Sequence, residues 1–288
     1  MFVAAPSSPT VRRRQLASEL KRLRQSAKLT IEQAAETLEW SPGKISRIEN
    51  ARNSVNRRDT KRLLDIYQVA QGEEREALLA LARQSRERGW WQQYGEAVPV
   101  WFSTYVGLEA SAAHIATYQG EFVPGLLQTQ AYATAVHRSA LMTATEEDIA
   151  RHVAVRMERQ ARLSEPGAPQ LWVVLNEAVI CRLVGDRATM HEQMSKLVAV
   201  SSAPNITLQV LPFSAGAHPA MDSAFSMVTF DPPTSGDVVY FEYPTGALYL
   251  EKTDEVARYK LVFDHLRASS LSPDDTRRLL SRTSDDLA

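Results

Sequence analysis

Two cations, Lys44 and Arg47, stand three residues apart in a short stretch that begins Ser41-Pro42-Gly43. On a helix this spacing places both side chains on one face, which we expect to look outward. An arginine can donate two hydrogen bonds to the major-groove edge of guanine, and a lysine can donate to the same acceptors. Ser41, at the start of such a helix, offers a hydroxyl and free backbone N–H groups to a phosphate or to the first base. The stretch therefore predicts recognition of duplex DNA.

Two short helices joined by a tight turn must position these cations. Thr30 can cap the first helix, and Gln33 follows at the spacing that completes a capping box. Ser41 can cap the second helix, with Pro42 in its first turn, where the missing N–H costs nothing. The apolar residues at helical spacing behind the turn are Ile31, Ala35, Leu38, Ile45 and Ile48. The pattern predicts a helix-turn-helix, and an ordinary helical hairpin is the alternative that these residues alone leave open.

One run of residues also follows a known family pattern: Leu29-Thr30, Ala34-Ala35, Leu38, Ser41 and Ile45-Ser46-Arg47-Ile48-Glu49-Asn50. It resembles the helix-turn-helix of the xenobiotic-response-element (XRE, Cro/repressor-like) regulators, LT-x-x-x-LA-x-x-L…S…IS-x-IE-N. That family often has a phosphate-holding Gln where Ile31 stands, so that role does not carry over. It often has Gly where Glu39 stands, which predicts a left-handed Glu39 at a cost of about 1–2 kcal/mol. The resemblance implies a DNA-binding transcription regulator.

The residues we predict at a DNA interface are Thr30, Ser41, Pro42, Gly43, Lys44, Arg47, Asn50, Arg52 and Arg57. Lys44 and Arg47 are expected to read base edges. Asn50, Arg52, Arg57 and Arg58 suit phosphates. Glu49 is expected to be structural and to tie the end of its helix to a neighbouring cation.

Charge is divided unevenly along the 288 residues, although the formal net charge is only -1. From Arg12 to Arg62 there are 14 lysines and arginines against 6 acidic residues, a net of +8. The rest of the chain has 19 basic and 28 acidic residues, a net of −9. A basic module on an acidic body is typical of a nucleic-acid binder with a separate sensing or assembly domain. Solvated helix faces would explain the charge but account less readily for its asymmetry.

Composition restricts the class of protein further. A content of 44% hydrophobic and 23% charged residues is that of an ordinary globular protein. No run approaches the roughly 20 apolar residues of a membrane span, and the first ten residues lack the basic start and apolar core of a signal peptide. The one cysteine excludes an internal disulfide and fits a reducing compartment. We therefore expect a cytoplasmic protein without membrane contact, with Cys181 buried among apolar neighbours.

Turn signals and composition divide the chain into four segments. We predict a flexible arm at 1–10, a helix-turn-helix DNA-binding domain at 11–86, an aromatic connector at 87–103 and a regulatory and oligomerisation domain at 104–288. The rings of the connector are Trp90, Trp91, Tyr94, Trp101 and Phe102. Such rings are expected to pack against the second domain, with base stacking as the alternative.

The predicted fold is a mainly α, five-helix N-terminal domain plus an α+β C-terminal domain with a small, mostly antiparallel sheet. In the first domain the fourth helix is expected to begin at Asp59 or Thr60. In the second, helices are predicted at 104–119, 126–138, 188–201 and 253–269, with a long helix from 145 whose arginines 151, 156, 159 and 162 point outward. Strands are predicted at 171–175, 206–211, 224–230 and 238–243, with 248–251 as a further candidate.

Residues from about 90 to 280 carry a second resemblance. Its motifs are Leu108-Glu109-Ala110, Phe122-Val123-Pro124-Gly125-Leu126-Leu127-Gln128-Thr129, Tyr132-Ala133, Arg159-Gln160, Asn176-Glu177-Ala178, Val184-Gly185 and Val210-Leu211-Pro212-Phe213. They resemble the C-terminal domain of unknown function of a large group of helix-turn-helix regulators, chiefly from filamentous actinobacteria. The resemblance implies a transcription regulator. Some relatives are described as antitoxin-like, with a small partner protein, and no ligand is implied.

Catalytic and metal chemistry find little support in the sequence. The six histidines are scattered singly, and Cys181 has no thiol companion, so we predict neither a metal nor a cofactor. Glu109, Glu121 and Glu177 could form an acid/base pair if the fold brought two of them together. Roles as helix-end caps or hydrogen-bond anchors are the simpler interpretation. We expect no enzyme activity.

Assembly and control can be predicted only in outline. A single helix-turn-helix buries little surface, so we expect a homodimer on a near-palindromic operator, with half-sites about 34 Å apart or a multiple of that. The second domain is expected to mediate this pairing and to sense a small molecule or a small partner protein. The candidate residues for effector or partner binding are Trp91, Glu109, Tyr118, Gln128, Trp172 and Glu177. For each aromatic among them, plain core packing is the alternative.

Overall fold

The computed structural model describes residues 8–231 and 236–288, which divide into two compact units, 8–92 and the described residues from 93 onward. The first unit contains five α-helices: α1 (Pro9–Ser26), α2 (Ile31–Leu38), α3 (Pro42–Glu49), α4 (Arg57–Ile66) and α5 (Glu73–Gln84). Most of the predicted arm lies outside the described residues. Its last two residues do not belong to an arm, because Ser8 caps α1 and the helix begins at Pro9.

One apolar core holds these five helices together. Leu16, Leu20 and Leu23 of α1 are buried in it, and so are Ala35 and Leu38 of α2 and Ile45 and Ile48 of α3. The predicted start of α4 was wrong, because the side chain of Asn56 accepts a hydrogen bond from the backbone N of Asp59 (2.7 Å) and caps the helix earlier.

A 3-10 segment, Trp90–Ala97, includes the boundary between the two units along the chain. The first α-helix of the second unit is α6 (Val100–Glu109). The further helices are α7 (Gln130–Ala140), α8 (Glu146–Ala161), α9 (Glu177–Cys181), α10 (Arg187–Val200), α11 (Thr253–Ser269) and α12 (Pro273–Leu287). The strands are β1 (His114–Gln119), β2 (Gln170–Asn176), β3 (Ile206–Leu211), β4 (Phe225–Thr229), β5 (Val238–Tyr243) and β6 (Gly246–Leu250).

The six strands form one mixed sheet in the order β3-β2-β1-β4-β5-β6. β1 pairs in parallel with β2, which pairs in parallel with β3, whereas β4, β5 and β6 continue the sheet in antiparallel fashion from β1. The predicted combination of a helical first domain and an α+β second domain is therefore confirmed.

The prediction of a helix over 104–119 was wrong in its second half. α6 ends at Glu109, and after a turn the chain forms β1, the strand at which the sheet changes from parallel to antiparallel. Tyr105, Leu108, Ala112 and Ile115 do recur at helical spacing, but Ile115 lies between Leu171 of β2 and Val228 of β4. Because β1 pairs with a strand on each side, this segment is extended, although its apolar residues recur at helical spacing.

Two smaller expectations also differ from the structure. The second predicted helix begins at Gln130 and not at Leu126, because Thr129 caps α7 and a 3-10 turn, Gly125–Leu127, precedes it. Cys181 is exposed at the end of α9, not buried. Among the helices of the described residues, none combines the length and the apolar character needed to cross a membrane.

Candidate nucleic-acid interface

The first helix of the hairpin, α2, has its predicted capping box. The Thr30 hydroxyl accepts a hydrogen bond from the backbone N of Gln33 (3.1 Å), and the Gln33 side chain accepts one from the backbone N of Thr30 (2.9 Å). The helix ends at Leu38, and its C-cap Glu39 has a left-handed φ of 57°, as the Gly that the resembled family often has at this position implied. Both ends of α2 are therefore fixed by local interactions that the sequence specifies.

The second helix, α3, carries the candidate reading surface. The Ser41 hydroxyl accepts a hydrogen bond from the backbone N of Lys44 (3.2 Å), which makes Ser41 the N-cap. Ile45 and Ile48 are buried in the core, while Pro42, Gly43 and Arg47 are exposed. Because the helix start is exposed and Gly43 has no side chain, backbone N–H groups there remain accessible to an anion.

A buried ion pair holds the C-terminal end of α3. Arg24 of α1 donates from Nε and Nη2 to the two carboxylate oxygens of Glu49 (2.8 and 3.0 Å), and its Nη1 donates to the carbonyl of Leu29 (2.7 Å). The hydroxyl of Tyr67 also donates to Glu49 (3.4 Å). The hydrogen bonds to Glu49 raise the pKa of Arg24, and burial, followed by the charge of Glu49, raises the pKa of Tyr67. Glu49 thus ties the helix end to a cation, the role expected from the sequence.

The two predicted base-reading cations point in different directions. Arg47 is exposed, with Nη1 beside Gly43, 3.4 Å from the position a Cβ would take there. Lys44 is turned back, with Nζ 2.8 Å from Asp59 Oδ2 and 3.4 Å from the ring centroid of Trp40. The expectation that both look outward was therefore wrong for Lys44. A carboxylate in α4 and a ring in the hairpin turn attract its ammonium.

The predicted phosphate contacts also differ among themselves. Arg52 and Arg58 are exposed and form no ion pair with any residue in 8–231 or 236–288, whereas Arg57 lies 3.5 Å from Glu76 in an exposed pair. Asn50 donates from its amide nitrogen to the carbonyl and hydroxyl of Ser46 (2.8 and 3.3 Å). The donors of Asn50 are thus already used within α3, while Arg52 and Arg58 are available.

An amphipathic hairpin with a capped, exposed second helix and unpaired arginines around it defines a helix-turn-helix DNA-binding module. A family model described as a helix-turn-helix domain matches residues 15–78. A second, described as Domain of unknown function (DUF5753), matches residues 102–282, and the chain belongs to that family. No curated protein and no solved structure matches the chain. These findings support a DNA-binding regulator with the C-terminal domain that the sequence resembles.

Among the predicted effector residues, the aromatics are packed. Tyr118 and Trp172 belong to one buried apolar cluster of the second unit, whereas Trp91 is a buried residue of the first unit. The Tyr118 hydroxyl lies 3.2 Å from His218 Nε2, and the Trp172 ring N–H donates to Gln209 (2.8 Å). The polar atoms of Tyr118 and Trp172 are thus satisfied within the core, as the plain-packing alternative has it.

Glu109 forms a buried ion pair that the sequence did not reveal. Arg159 of α8 donates from Nε and Nη2 to its two oxygens, both at 2.7 Å. Burial alone would lower the pKa of Arg159, but the charge and hydrogen bonds of Glu109 outweigh it and raise that pKa. The prediction that Arg159 points outward was wrong, because its carboxylate partner lies 50 residues earlier in the chain.

Gln128 lies at the centre of a polar network that sequence reasoning did not find. Its amide nitrogen donates to the carbonyl of Val123 (2.6 Å), and its side-chain oxygen accepts from Arg156 (2.7 Å). Its backbone carbonyl accepts from Lys196 (2.8 Å) and Gln160 (2.9 Å). Burial, together with the charge of Arg159, lowers the pKa of Arg156 to about 10. The network fixes the backbone of the Val123–Thr129 run, which gives a structural reason for the residue types found in that motif.

The three glutamates considered for catalysis have separate partners. Glu121 pairs with Arg182 at the surface (2.7 Å), Glu177 accepts a hydrogen bond from the backbone N of Phe213 (2.6 Å), and Glu109 is bound to Arg159. Within 8–231 and 236–288, no group of three or more His, Cys, Asp or Glu side chains could hold a metal ion. The three glutamates are thus arranged as hydrogen-bond anchors.

Two open pockets lie on the second unit. One, of about 430 Å³, is lined by α7 and α8 with Ile149, Val153 and Met157 in its wall. The other, of about 380 Å³, includes Phe122 and Leu183. None of the six predicted effector residues lines either pocket.

Proposed function

We propose that the protein is a sequence-specific transcription regulator of the XRE type that places α3 in the major groove of duplex DNA. The observation that carries the proposal is Arg47, an exposed arginine without an ion-pair partner in the described chain, on a helix fixed at both ends. Ser41 caps that helix, and the Arg24–Glu49 pair holds its other end. A guanidinium presented from a rigid helix can discriminate guanine by about 1–3 kcal/mol.

Phosphate contacts would surround this reading position. Arg52 and Arg58 have no ion-pair partner among the residues that the structure describes, and Arg57 is held there by an exposed ion pair, which contributes little to stability. Thr30, Pro42 and Gly43 lie at the exposed starts of α2 and α3, where backbone N–H groups favour phosphate oxygens. The net of +8 between Arg12 and Arg62 supports the same role.

The second unit is proposed to mediate dimerisation and to receive a regulatory signal. A single eight-residue helix reads few base pairs, so a homodimer on a near-palindrome is the arrangement that gives useful specificity. The acidic excess of the rest of the chain favours a second role, antitoxin-like binding of a small partner protein. A small-molecule effector is the other source of regulation. We propose no catalysis and a site of action in the cytoplasm.

The test is quantitative DNA binding by the full-length protein, using a duplex selected from a random pool and an unselected duplex of equal length. Arg47→Ala should weaken binding to the selected duplex by about 10- to 100-fold and change binding to the unselected one much less. Arg52→Ala should weaken both duplexes alike and make the salt dependence shallower by about one ion.

Arg83→Ala serves as the matched control, since Arg83 is an exposed arginine of α5 outside the predicted interface. If Arg47→Ala and Arg52→Ala both bind the two duplexes as the parent does, the assignment of α3 is wrong. Sedimentation of a monomer at micromolar concentration, with and without DNA, would contradict the dimer. Turnover lost on Glu177→Gln would contradict the absence of catalysis.

A further inference from the structure

The ammonium of Lys44 is held by two groups within its own unit. Asp59 Oδ2 accepts a hydrogen bond from Nζ at 2.8 Å, and the ring centroid of Trp40 lies 3.4 Å from the same nitrogen. An ammonium over an indole face is attracted by the ring quadrupole, in addition to its attraction to the carboxylate. Lys44 stands in the first turn of α3, at the end of the helix where Ser41 and Gly43 would face DNA. Its ammonium is therefore held away from the position that DNA would occupy.

Both groups that hold Lys44 are themselves fixed. Asp59 lies in the first turn of α4, where its backbone N is bound by the Asn56 cap and its charge is favoured by the helix dipole. Trp40 packs against the apolar core, and Arg62 approaches the same ring while donating to the carbonyl of Leu38 (2.9 Å). The Asp59 carboxylate is only 20% exposed, which reduces the screening of the pair by water and salt.

A DNA phosphate or guanine would compete with Asp59 for Lys44, because moving the ammonium outward to the DNA breaks its 2.8 Å bond to Asp59 and its contact with the Trp40 ring. We propose that Asp59 competes with DNA for Lys44 and thereby limits the affinity of α3 and the number of counterions released on binding. Asp59 is then a positioning residue that acts through Lys44. This inference rests on the proposed function, because it presupposes that α3 meets duplex DNA.

The first experiment is an affinity measurement on the full chain over a series of salt concentrations, with an unselected duplex. Asp59→Asn keeps the shape of the side chain and removes its charge, so Lys44 is released. We expect binding to tighten by about three- to fivefold at 0.1 M salt, the upper part of the range for surface ion pairs, because this pair is partly buried. The slope of log K against log salt should steepen by about 0.9, the value of one additional phosphate contact.

A double-mutant cycle with Lys44→Met separates this effect from a general loss of negative charge. In the parent, Lys44→Met should change the affinity and the salt slope little, because the Asp59 carboxylate already compensates the charge of Lys44. In the Asp59→Asn background it should remove the gain. If the gain persists in the double variant, or if Lys44→Met alone lowers the slope by about 0.9, the proposal is overturned.

Two further variants control for charge and for folding. Glu36→Gln removes an exposed carboxylate of α2 that pairs with no residue in the described ranges, and its effect should not depend on Lys44. Asp59→Glu retains a carboxylate and should bind as the parent does. In the absence of DNA, the indole resonance of Trp40 in a ¹H–¹⁵N spectrum, assigned with Trp40→Phe, should shift in Asp59→Asn and in Lys44→Met.

The outcomes distinguish this inference from the proposed function. A parent protein that binds no duplex overturns both. A parent that binds, together with an Asp59→Asn variant of unchanged affinity and slope, overturns only the competition at Lys44. An unshifted Trp40 resonance in both variants overturns the restraint that the competition requires.

Discussion

Replacement of Glu49 by Gln tests whether the buried ion pair fixes α3. The substitution keeps the size of the side chain but leaves the Arg24 guanidinium without a counter-charge in a site where both residues are less than 10% exposed. Arg24 joins α1 to the C-terminal end of α3, and Tyr67, the C-cap of α4, donates a hydrogen bond to the same carboxylate. The variant therefore removes the charge at the point where three helices meet.

The expected loss follows from the geometry. Removing one partner of a buried pair costs about 3–5 kcal/mol, because the remaining charge stays desolvated. Gln retains one oxygen that can accept from Arg24, and the bond from Arg24 to Leu29 survives, so we expect the lower end, about 3 kcal/mol. Since about 1.4 kcal/mol corresponds to a factor of ten, the opening equilibrium of this region should rise by about 100-fold.

Hydrogen exchange measured by mass spectrometry on the full chain gives this quantity directly. Peptides from α1, α3 and α4 should exchange about 100-fold faster in Glu49→Gln, while peptides from α11 serve as the internal reference. A second variant, Arg24→Leu combined with Glu49→Leu, replaces the pair by apolar side chains and should restore most of the protection. If Glu49→Gln leaves exchange in α3 unchanged, the pair does not fix the helix and the reasoning is refuted.

Two other predictions concern a turn and a pH dependence. Glu39→Gly should raise the free energy of unfolding of the first unit by about 0.5–1 kcal/mol in urea titration, because a left-handed Glu is strained and Gly is not, although Gly gains entropy on unfolding; a loss of stability would contradict this. Burial, then the charge of Arg156, lowers the pKa of His137 from its usual 6.5 to about 3. The unfolded chain then binds more protons between these values, so stability should fall as pH falls from about 7 towards 3. His137→Gln should flatten this dependence by about 1–2 kcal/mol between pH 7.5 and pH 5; a slope equal to that of the parent would refute the assignment.

The hairpin could be predicted from sequence because its determinants are local. The capping box of Thr30 and Gln33, the N-cap of Ser41 and the left-handed Glu39 each depend on residues within four positions. Their signals agree with the apolar spacing of the same helices, and such agreement between levels is what makes a prediction reliable. The match of residues 15–78 to a helix-turn-helix domain is consistent with this local reading.

The central strand could not be predicted, because its conformation is decided by partners far along the chain. Ala116 pairs with Trp172 on one side and with Met227 on the other. The surrounding sequence has helical spacing, and only the two neighbouring strands make the extended form favourable. By contrast, β3 and β5 were predicted with the bounds that the structure shows, since short branched runs between turns have no competing helical pattern.

Long charged side chains were the least predictable feature of both units. Helical position gives the direction in which a side chain leaves the backbone, but a distant carboxylate decides where its charge comes to rest. Arg159 is buried because it binds Glu109, and Lys44 turns away from the outer face of α3 because it binds Asp59. In each case spacing alone assigned the side chain to the outer face of its helix, whereas the carboxylate that binds it lies on another helix.

The two carboxylates that meet α3 have different consequences for control. Glu49 belongs to a buried, bidentate pair, so moving the C-terminal end of α3 would expose or orphan a charge at a cost of several kcal/mol. Asp59 holds a partly exposed lysine through one hydrogen bond, so releasing that lysine leaves no fully buried charge without a partner. A regulatory signal that had to distort α3 would therefore work against the Arg24–Glu49 pair. Altering the spacing between two copies of the hairpin, or the charge that surrounds Lys44, requires no such loss. The regulation that we propose for the second unit would therefore act in one of these ways.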